Sequence, residues 1–329
     1  MPIIAHRGRS VRALIVFWIT RIVMKGFMSV FPVRDRTLAL LRALEPWMAR
    51  VPQSVRGVEI EQITIAGVRG ERIVPIGVDL RPRTALAYYH GGAFIGCNLD
   101  THRRIAAMLA RGLRVPVYNV EYRQFPDGGV GTSVHDGYLA YRELLDAGEY
   151  DRLVVAGDSA GGFVSAKVIE YAARDGVVRP AAFIGFSPFL NIAVDPRRSS
   201  RHDAMLPIRK IAKLRDIFER GPEELYGPED MTGDDVAPDF PPTVITCAHR
   251  EALELDSRNL VASLDRAGVP NELHIYDGQV HAFPVAIGST PESLDAYRTV
   301  VGFVGRHLDE AASARAAEPE EQRADSGAA

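Results

Sequence analysis

Residues 153–173 read LVVAGDSAGGFVSAKVIEYAA, and the order of features in this stretch decides the fold. A short apolar run at 153–156 is followed by GDSAG at 157–161 and then by a helical stretch. A G-x-S-x-G turn between a strand and a helix needs its glycines because side chains two positions either side of the serine would collide. The helix N-terminus behind the serine favours developing negative charge. The stretch therefore predicts Ser159 as a nucleophile; the alternative is a glycine-rich turn without chemistry.

Five further apolar runs share this pattern, each followed by a turn and a helical stretch. They lie at 85–89, 115–120, 182–186, 244–248 and 273–276. Continuous apolar strands separated by helices predict a parallel sheet that is covered on both faces. Before them, residues 58–66 and 72–78 alternate apolar and polar side chains around two glycines, which predicts an antiparallel hairpin.

The segment HGGAF at 90–94 follows an apolar run and predicts an oxyanion hole rather than a plain loop. Acyl transfer creates an oxyanion that needs two or three backbone N–H donors, and paired glycines let the main chain approach the substrate closely. His90 precedes the serine, which is the wrong chain order for a general base. We predict that His90 organises this loop, with Asp158 as further substrate or structural support. The predicted donors are the N–H groups of Gly91, Gly92, Ala93 and Ala160.

The general base is expected late in the chain, on the loop after the last strand. His281, in DGQVHAF at 277–283, is the only one of nine histidines in that position. His274 lies inside the last apolar run. Four others, His102, His135, His202 and His307, are expected at the surface or on helices.

The third catalytic residue should be an acid that orients the imidazole and stabilises its charged form. It should lie after the run at 244–248, where the sequence reads HREALELD at 249–256. Glu251 comes before the following helix is established, so we predict Glu251 as the acid. Asp256 falls within the predicted helix and remains the competitor, and Asp277 is a further alternative. The chain order serine, acid, histidine matches the fold that carries a nucleophile turn of this kind.

The motifs HGGAF at 90–94, GDSAGG at 157–162 and DGQVHAF at 277–283 together resemble those of the bacterial hormone-sensitive-lipase-like esterases, also called HGGG-type or family IV esterases. NVEYR at 119–123 and DTH at 100–102 resemble further segments of that family, and the likeness covers residues 55–308. The resemblance implies an α/β-hydrolase fold with a helical cap. It also implies hydrolysis of short- to medium-chain carboxylic esters without a cofactor.

The chain departs from the family pattern at two places. The family usually has a third glycine where this chain has Ala93, whose methyl group would narrow the acyl pocket. The family acid is commonly an aspartate followed by Pro-Leu, whereas this chain has Glu251 followed by Ala-Leu. Because glutamate is longer by one methylene, this second departure keeps Asp256 open as the acid.

The patterning and the resemblance divide the chain into three parts. Residues 1–50 are predicted to form N-terminal cap helices, and residues 51–310 an α/β-hydrolase catalytic domain with a mostly parallel sheet and helices on both faces. Within it, the proline-rich segment 188–242, with a helical piece at 208–218, is predicted to complete the cap at the carboxyl edge of the sheet. Residues 311–329 have too few apolar side chains to pack and are predicted to be disordered.

A short apolar run at 14–19 stands between Arg12 and Arg21. It is too short to span a bilayer, which takes about 20 residues, so we predict an amphipathic helix. Its apolar face is expected to cover the active-site mouth; the alternatives are peripheral membrane contact through residues 11–31, and a cleaved segment or anchor. The face consists of Leu14, Phe17, Trp18 and Ile22.

Composition limits the partners and the setting of the protein. The formal charge of −3 argues against nucleic acid. Two cysteines in 329 residues make neither a disulfide framework nor a zinc spacing, so we predict a reducing, cytoplasmic setting and no metal or other cofactor. The expected partner is a small-molecule ester, and a homodimer is left open. Rival interpretations are a lipase, an amidase or a lactone or acetyl-ester hydrolase of the same fold, and a non-catalytic ligand receptor.

Overall fold

A computed structural model describes residues 3–48, 55–193 and 195–317. Its centre is a nine-stranded sheet with the order β1-β9-β8-β7-β6-β4-β5-β3-β2. The strands are β1 Ile3–His6, β2 Val58–Ile65, β3 Val68–Pro75, β4 Thr84–Tyr89, β5 Val117–Val120, β6 Arg152–Asp158, β7 Ala182–Phe186, β8 Thr243–Ala248 and β9 Asn271–Tyr276. The helices are α1 Val11–Ile22, α2 Met24–Val30, α3 Asp35–Met48, α4 Leu99–Leu113, α5 Val130–Asp146, α6 Ala160–Arg174, α7 Ile208–Ile211, α8 Arg215–Phe218, α9 Glu254–Ala267, α10 Phe283–Ala286 and α11 Pro291–Ala317.

The sheet is parallel from β1 across to β5, and the β2–β3 hairpin joins β5 in the antiparallel direction. Every residue of β4, β7 and β8 is buried. Helices α4 and α11 pack in a cluster on one face of the sheet, and α5, α6 and α9 contribute to the main cluster on the other. The six predicted parallel strands and the predicted hairpin are thereby confirmed, because strands covered on both faces must be apolar throughout.

Residues 3–6 form a strand where the sequence predicted helix. Strand β1 pairs in parallel with β9, from Ile3 opposite Leu273 to His6 opposite Tyr276. Four residues are too few to show a periodicity, and the hydrogen bonds that define this strand come from β9, more than 260 residues away. The prediction of helix throughout residues 1–50 was therefore wrong at this end.

Helix α1 packs on the catalytic domain with only part of the predicted face. Val16 and Phe17 pack against a buried cluster that includes the loop after β9. Trp18 and Ile22, which were predicted to face inward, are 50% and 70% exposed. Apolar residues occur nearly all round this helix, so helical spacing alone did not identify the packed face.

The helices in the described part of the inserted segment are all short, and α7 and α8 with a 3₁₀ turn between them occupy the predicted helical piece at 208–218. Leu38 of α3 and Phe218 of α8 belong to the same buried cluster as side chains of the sheet. The N-terminal and inserted segments therefore share one core with the catalytic domain.

The last helix extends beyond the predicted boundary. Helix α11 runs to Ala317, so residues 311–317, which were predicted to be disordered, are helical. Alanine, glutamate and arginine have high helix propensity, which can prolong a packed helix without further burial. The rest of the predicted tail, 318–329, lies outside the described residues, as does the predicted boundary at residues 50 and 51.

Candidate active site

Ser159 stands on a turn that requires the glycines around it. It lies between β6 and α6 with φ +48°, a left-handed conformation that is strained for a residue other than glycine. A Cβ on Gly157 would lie 2.3 Å from the carbonyl oxygen of Gly161, and a Cβ on Gly161 would lie 1.9 Å from that of Tyr89. Ser159 is half-buried while the residues on either side are buried. The turn therefore keeps the serine accessible at the carboxyl edge of the sheet.

His281 and Glu251 form a buried pair on the loops after β9 and β8. His281 Nδ1 lies 2.8 Å from Glu251 Oε2, and Glu251 Oε1 accepts the N–H of Ala248 at 3.2 Å. Burial alone would lower the pKa of His281, but the charge and hydrogen bond of Glu251, together with the charges of Asp203 and Asp158, outweigh it and raise this pKa above its ordinary value. His281 Nε2 is buried and has no hydrogen-bond partner within the described ranges. It is therefore free to accept a proton.

The end of β7 connects the nucleophile turn to the histidine and acid loops. The N–H of Ser159 donates to the carbonyl oxygen of Phe186 at 3.2 Å. The hydroxyl of the next residue, Ser187, accepts the N–H of Ala282 at 3.0 Å. The same hydroxyl acts to lower the pKa of Glu251, although burial leaves that pKa raised. Ser187 was not predicted, because its local sequence carries no motif and its partners come from distant loops.

The structure shows which of the candidate carboxylates contacts His281. Asp256 is buried and pairs with Arg198, whose Nε lies 2.9 Å from Oδ1. Asp256 Oδ2 also accepts the N–H of Leu190 at 3.0 Å, so this residue holds the beginning of the cap segment. Among the described residues, neither Asp256 nor Asp277 forms a hydrogen bond with His281. Glu251 is the carboxylate that contacts the histidine.

Asp158 lies at the centre of a buried network beneath the oxyanion loop. It accepts hydrogen bonds from the Tyr88 hydroxyl at 2.8 Å and the Gly91 N–H at 3.0 Å, and His102 Nε2 lies 3.1 Å away. Burial alone would raise the pKa of Asp158, but these partners, led by His102, lower it below its ordinary value. The carboxylate is therefore ionised and supports the loop. His102 was expected at the surface or on a helix; it is on α4 but buried.

The oxyanion loop offers fewer free donors than the sequence predicted. The N–H of Gly91 is engaged by Asp158, so it cannot also face a substrate oxygen. In the part of the chain that the structure describes, the N–H groups of Gly92, Ala93 and Ala160 donate to no other group. Gly92 has φ +122°, and a Cβ there would lie 1.8 Å from the carbonyl oxygen of Gly96. Only glycine fits this position.

His90 is held as a neutral side chain inside the same loop. Its Nδ1–H donates to the carbonyl oxygen of Gly91 at 2.7 Å, and its ring stacks on Tyr122 with 4.5 Å between centroids. The Tyr122 hydroxyl donates to the carbonyl oxygen of His90 at 2.5 Å. Burial, helped by the neighbouring His102, lowers the pKa of His90 to about 3. These contacts fit an organising position and not that of a base near neutral pH.

Asp203 is a second buried carboxylate behind the histidine–acid pair, and no motif in the sequence indicated it. Its Oδ2 accepts the N–H of Ala252 at 2.8 Å, the residue after Glu251, while Oδ1 accepts two N–H groups of its own loop. Asp203 therefore ties the cap segment to the loop that carries Glu251.

Known proteins of one fold family are similar to this chain. A family model for the alpha/beta hydrolase fold matches residues 86–285. Esterase LipU of Mycobacterium tuberculosis is 34% identical over 235 residues, and the match covers 68% of this chain and 77% of that protein. Carboxylesterase/phospholipase LipF of the same organism is 29% identical over 317 residues, and the match covers 92% of this chain and 83% of that protein.

Solved structures agree with these relatives. The crystal structure of EstE5 soaked with p-nitrophenyl butyrate superposes with a TM-score of 0.75 at 26% identity, over 92% of this chain and 100% of that one. The matched family region spans the nucleophile turn, the acid and the histidine described above. The chain therefore belongs to the alpha/beta hydrolase fold family and is a carboxylic ester hydrolase.

Proposed function

We propose that Ser159, His281 and Glu251 are the catalytic residues and hydrolyse esters through an acyl-enzyme on Ser159. The observation that carries this proposal is the buried 2.8 Å contact between His281 Nδ1 and Glu251 Oε2, with His281 Nε2 left unbonded among the described residues. An imidazole held in this way can take a proton from a serine hydroxyl through Nε2. The strained turn after β6 supplies that serine.

The proposed reaction has two halves with the same proton path. The Ser159 oxygen attacks the ester carbonyl while its proton passes to His281 Nε2, and His281 then protonates the leaving alcohol as the ester C–O bond breaks. A water molecule attacks the acyl-enzyme, its proton passes to His281, and that proton returns to Ser159 as the carboxylic acid leaves. Glu251 stabilises the imidazolium in both halves.

We assign the oxyanion to the N–H groups of Gly92, Ala93 and Ala160. Three unbonded donors on two adjoining turns support this assignment. Ala160 is the first residue of α6, so the positive end of the helix dipole also stabilises the oxyanion there. Each such donor typically stabilises the transition state by about 2.7–4 kcal/mol. Gly91 and Asp158 then shape the loop without contacting the oxyanion.

An aromatic cluster beside the nucleophile supports short- to medium-chain esters as substrates. The N–H of Phe189 donates to the carbonyl oxygen of Ser159 at 2.9 Å, and the Phe189 ring lies 6.5 Å from that of Phe163. Phe94, in the oxyanion loop, lies 5.3 Å from Phe218 of the cap. Rings from the cap and the catalytic domain would give an acyl chain an apolar wall of limited length.

A lipase or phospholipase that acts at a lipid surface is the second candidate. The exposed apolar faces of α1 and α2 favour it, and the relative LipF is named a carboxylesterase/phospholipase. We further propose a cytoplasmic setting with peripheral membrane contact through residues 11–31.

The test combines covalent labelling with an acyl-chain series from C2 to C16, in solution and as emulsions. We expect wild-type protein to react with a fluorophosphonate probe and to prefer short or medium dissolved p-nitrophenyl esters, and Ser159→Ala to lose both properties. A maximum with emulsified long chains would favour the lipase, and a protein that is not labelled would favour the receptor. Near-full activity of Ser159→Ala would overturn the proposed nucleophile.

A further inference from the structure

The outward surface of α1 and α2 is apolar and is covered by no other described part of the chain. Residues 11–30 are helical apart from a single turn residue, and the segment Val11–Val30 is long and apolar enough to cross a membrane by length and composition. Half of the exposed large apolar side chains in the described residues, nine of eighteen, lie in this segment. They are Val11, Ile15, Trp18, Ile19, Ile22, Val23, Met24, Phe27 and Val30.

The inward surface of the same helices is bound to the folded body. Arg21 donates to the carbonyl oxygens of Arg201 and Asp203, both at 2.9 Å, and Lys25 donates to that of Asp203 at 2.7 Å. Before α1, the Ser10 hydroxyl bonds to a glutamate of α11 at 3.0 Å. A helix that crossed a bilayer would have to give up these contacts. The folded geometry fits a helix pair that lies in the plane of an interface with one face immersed.

The N-terminal segment is also strongly basic. Residues 1–34 contain six of the 39 basic residues and none of the 42 acidic ones, although the whole chain carries −3. An anionic membrane surface attracts such a segment, whereas a neutral one does not. The positive charge of this segment therefore favours an anionic membrane surface over a neutral one as the partner of the apolar face.

Beneath α1 lies a cavity of about 840 Å³ with a basic lining. Arg7 and Arg9 line it from the loop between β1 and α1, and Arg250 lines it from the loop after β8. None of these three forms an ion pair with any described residue, and Asp277 is the one carboxylate of the lining. The cavity is therefore positively charged and lies directly below the apolar helix face.

We propose that this cavity binds the phosphate of an anionic phospholipid while the outward faces of α1 and α2 insert into the acyl layer. The occupant is thus the surface of a bilayer that contains anionic phospholipid. The inference rests on the membrane contact proposed above and not on the identity of the catalytic residues. Phosphate oxygens would accept from the arginines, and Trp18, which lines the cavity and is half-exposed, would lie at the boundary between headgroups and acyl chains.

The experiment uses the full chain with vesicles of phosphatidylcholine alone or with 30% phosphatidylglycerol. We expect co-sedimentation and a blue shift of Trp18 fluorescence, recorded in a Trp47→Phe background, only with the anionic vesicles and weaker at high salt. Each basic group near an anionic surface strengthens binding about fivefold. The double variant Arg7→Gln with Arg9→Gln should therefore bind anionic vesicles more weakly by a factor on the order of 25. The control Arg69→Gln with Arg142→Gln, remote on β3 and α5, removes the same charge and should bind like wild type.

A second pair of variants tests the apolar face. Ile19→Ser with Ile22→Ser should abolish the blue shift, while Ile76→Ser with Val78→Ser, exposed side chains at the opposite edge of the sheet, should keep it. All variants should hydrolyse dissolved p-nitrophenyl butyrate like wild type, which separates this inference from the catalytic proposal. Equal binding to neutral vesicles, resistance to an alkaline carbonate wash, or a dimer that only the Ile19/Ile22 variant dissociates would each overturn it.

Discussion

The charge of Glu251 sets the pH range in which His281 can act as a base. The pKa of His281 is raised by that carboxylate, and the neutral imidazole is the active form, so activity falls as the pH drops through this raised pKa. Glu251→Gln removes the charge but leaves the burial, so the acid limb of kcat/KM should move to lower pH. Without the carboxylate to orient the ring, kcat should also fall, on the order of 10³–10⁴-fold. A pH series with p-nitrophenyl butyrate measures both changes.

Asp277→Asn is the matched control for this substitution. Asp277 is four residues before His281, and in the described structure the Asp277 carboxylate forms no hydrogen bond with the His281 ring. The variant should therefore keep the wild-type rate and acid limb. An unshifted acid limb in Glu251→Gln would show that another group orients His281.

Gly92 offers a test of the oxyanion loop that leaves every polar side chain in place. An alanine would put Cβ 1.8 Å from the carbonyl oxygen of Gly96 at a φ that side chains rarely adopt, so the loop must move. Gly92→Ala should lower kcat by about 10²–10³-fold, the typical effect of losing an oxyanion donor. Gly96→Ala is the control, because a Cβ there meets nothing within 4 Å. Similar rates for the two variants would contradict the assignment.

The role of a residue was predictable from the sequence where the fold places that role after a particular strand. Ser159 follows a strand within a glycine turn, and His281 follows the last strand, so both could be selected from many serines and histidines. Ser187 and Asp203 could not, because each acts through hydrogen bonds to loops far away in sequence. The hydrogen bond of Gly91 could not be predicted for the same reason, since its N–H meets a carboxylate 67 positions later.

At the scale of elements, the buried ion pair Arg198–Asp256 joins the cap segment to helix α9. Asp256 accepts from Arg198 and from the backbone of Leu190. Asp256→Asn would leave the buried guanidinium without its counter-charge, which typically costs about 3–5 kcal/mol. We expect a clearly lower urea midpoint with an unchanged acid limb of activity, measured by circular dichroism and by a pH series.

The exposed pair Asp234–Arg266 provides the comparison. Both side chains are more than half exposed, so Asp234→Asn should cost less than about 1 kcal/mol. If Asp256→Asn were no more destabilising than Asp234→Asn, the cap would not depend on the buried pair. A shifted acid limb in Asp256→Asn would instead reopen the choice of catalytic acid.

Elements with a strong local period were predictable, and elements defined by a partner were not. The parallel strands were predictable because burial on both faces requires a continuous apolar run. The β2–β3 hairpin was predictable because burial on one face gives alternating apolar and polar residues. Strand β1 depends on the edge of β9, and the packed face of α1 depends on the cluster that Val16 and Phe17 meet. Neither partner is visible in a window of local sequence.

At the scale of the whole molecule, stability should be graded across the sheet. Strands β7 and β8 are buried at every residue and paired on both sides. Strand β2 is an edge strand whose residues are mostly exposed, and β1 is an edge strand of four residues. Amides that can open locally exchange hydrogen faster than those that need global unfolding. The order of strands in the sheet therefore predicts which amides are best protected from exchange. The active-site turns after the central strands should be among the well-protected regions.

Hydrogen–deuterium exchange measured by mass spectrometry tests this gradient. Peptides from β6, β7 and β8 should exchange last and together, because opening them would expose the core on both faces of the sheet. Peptides from β1 and β2 should exchange first. Since Ser159 and Ser187 directly follow β6 and β7, the nucleophile turn would then be supported by the most stable part of the fold, while the cap segment remains easier to open. Protection of β1 equal to that of β8 would contradict this gradient and would mean that the N-terminal strand unfolds only with the central sheet.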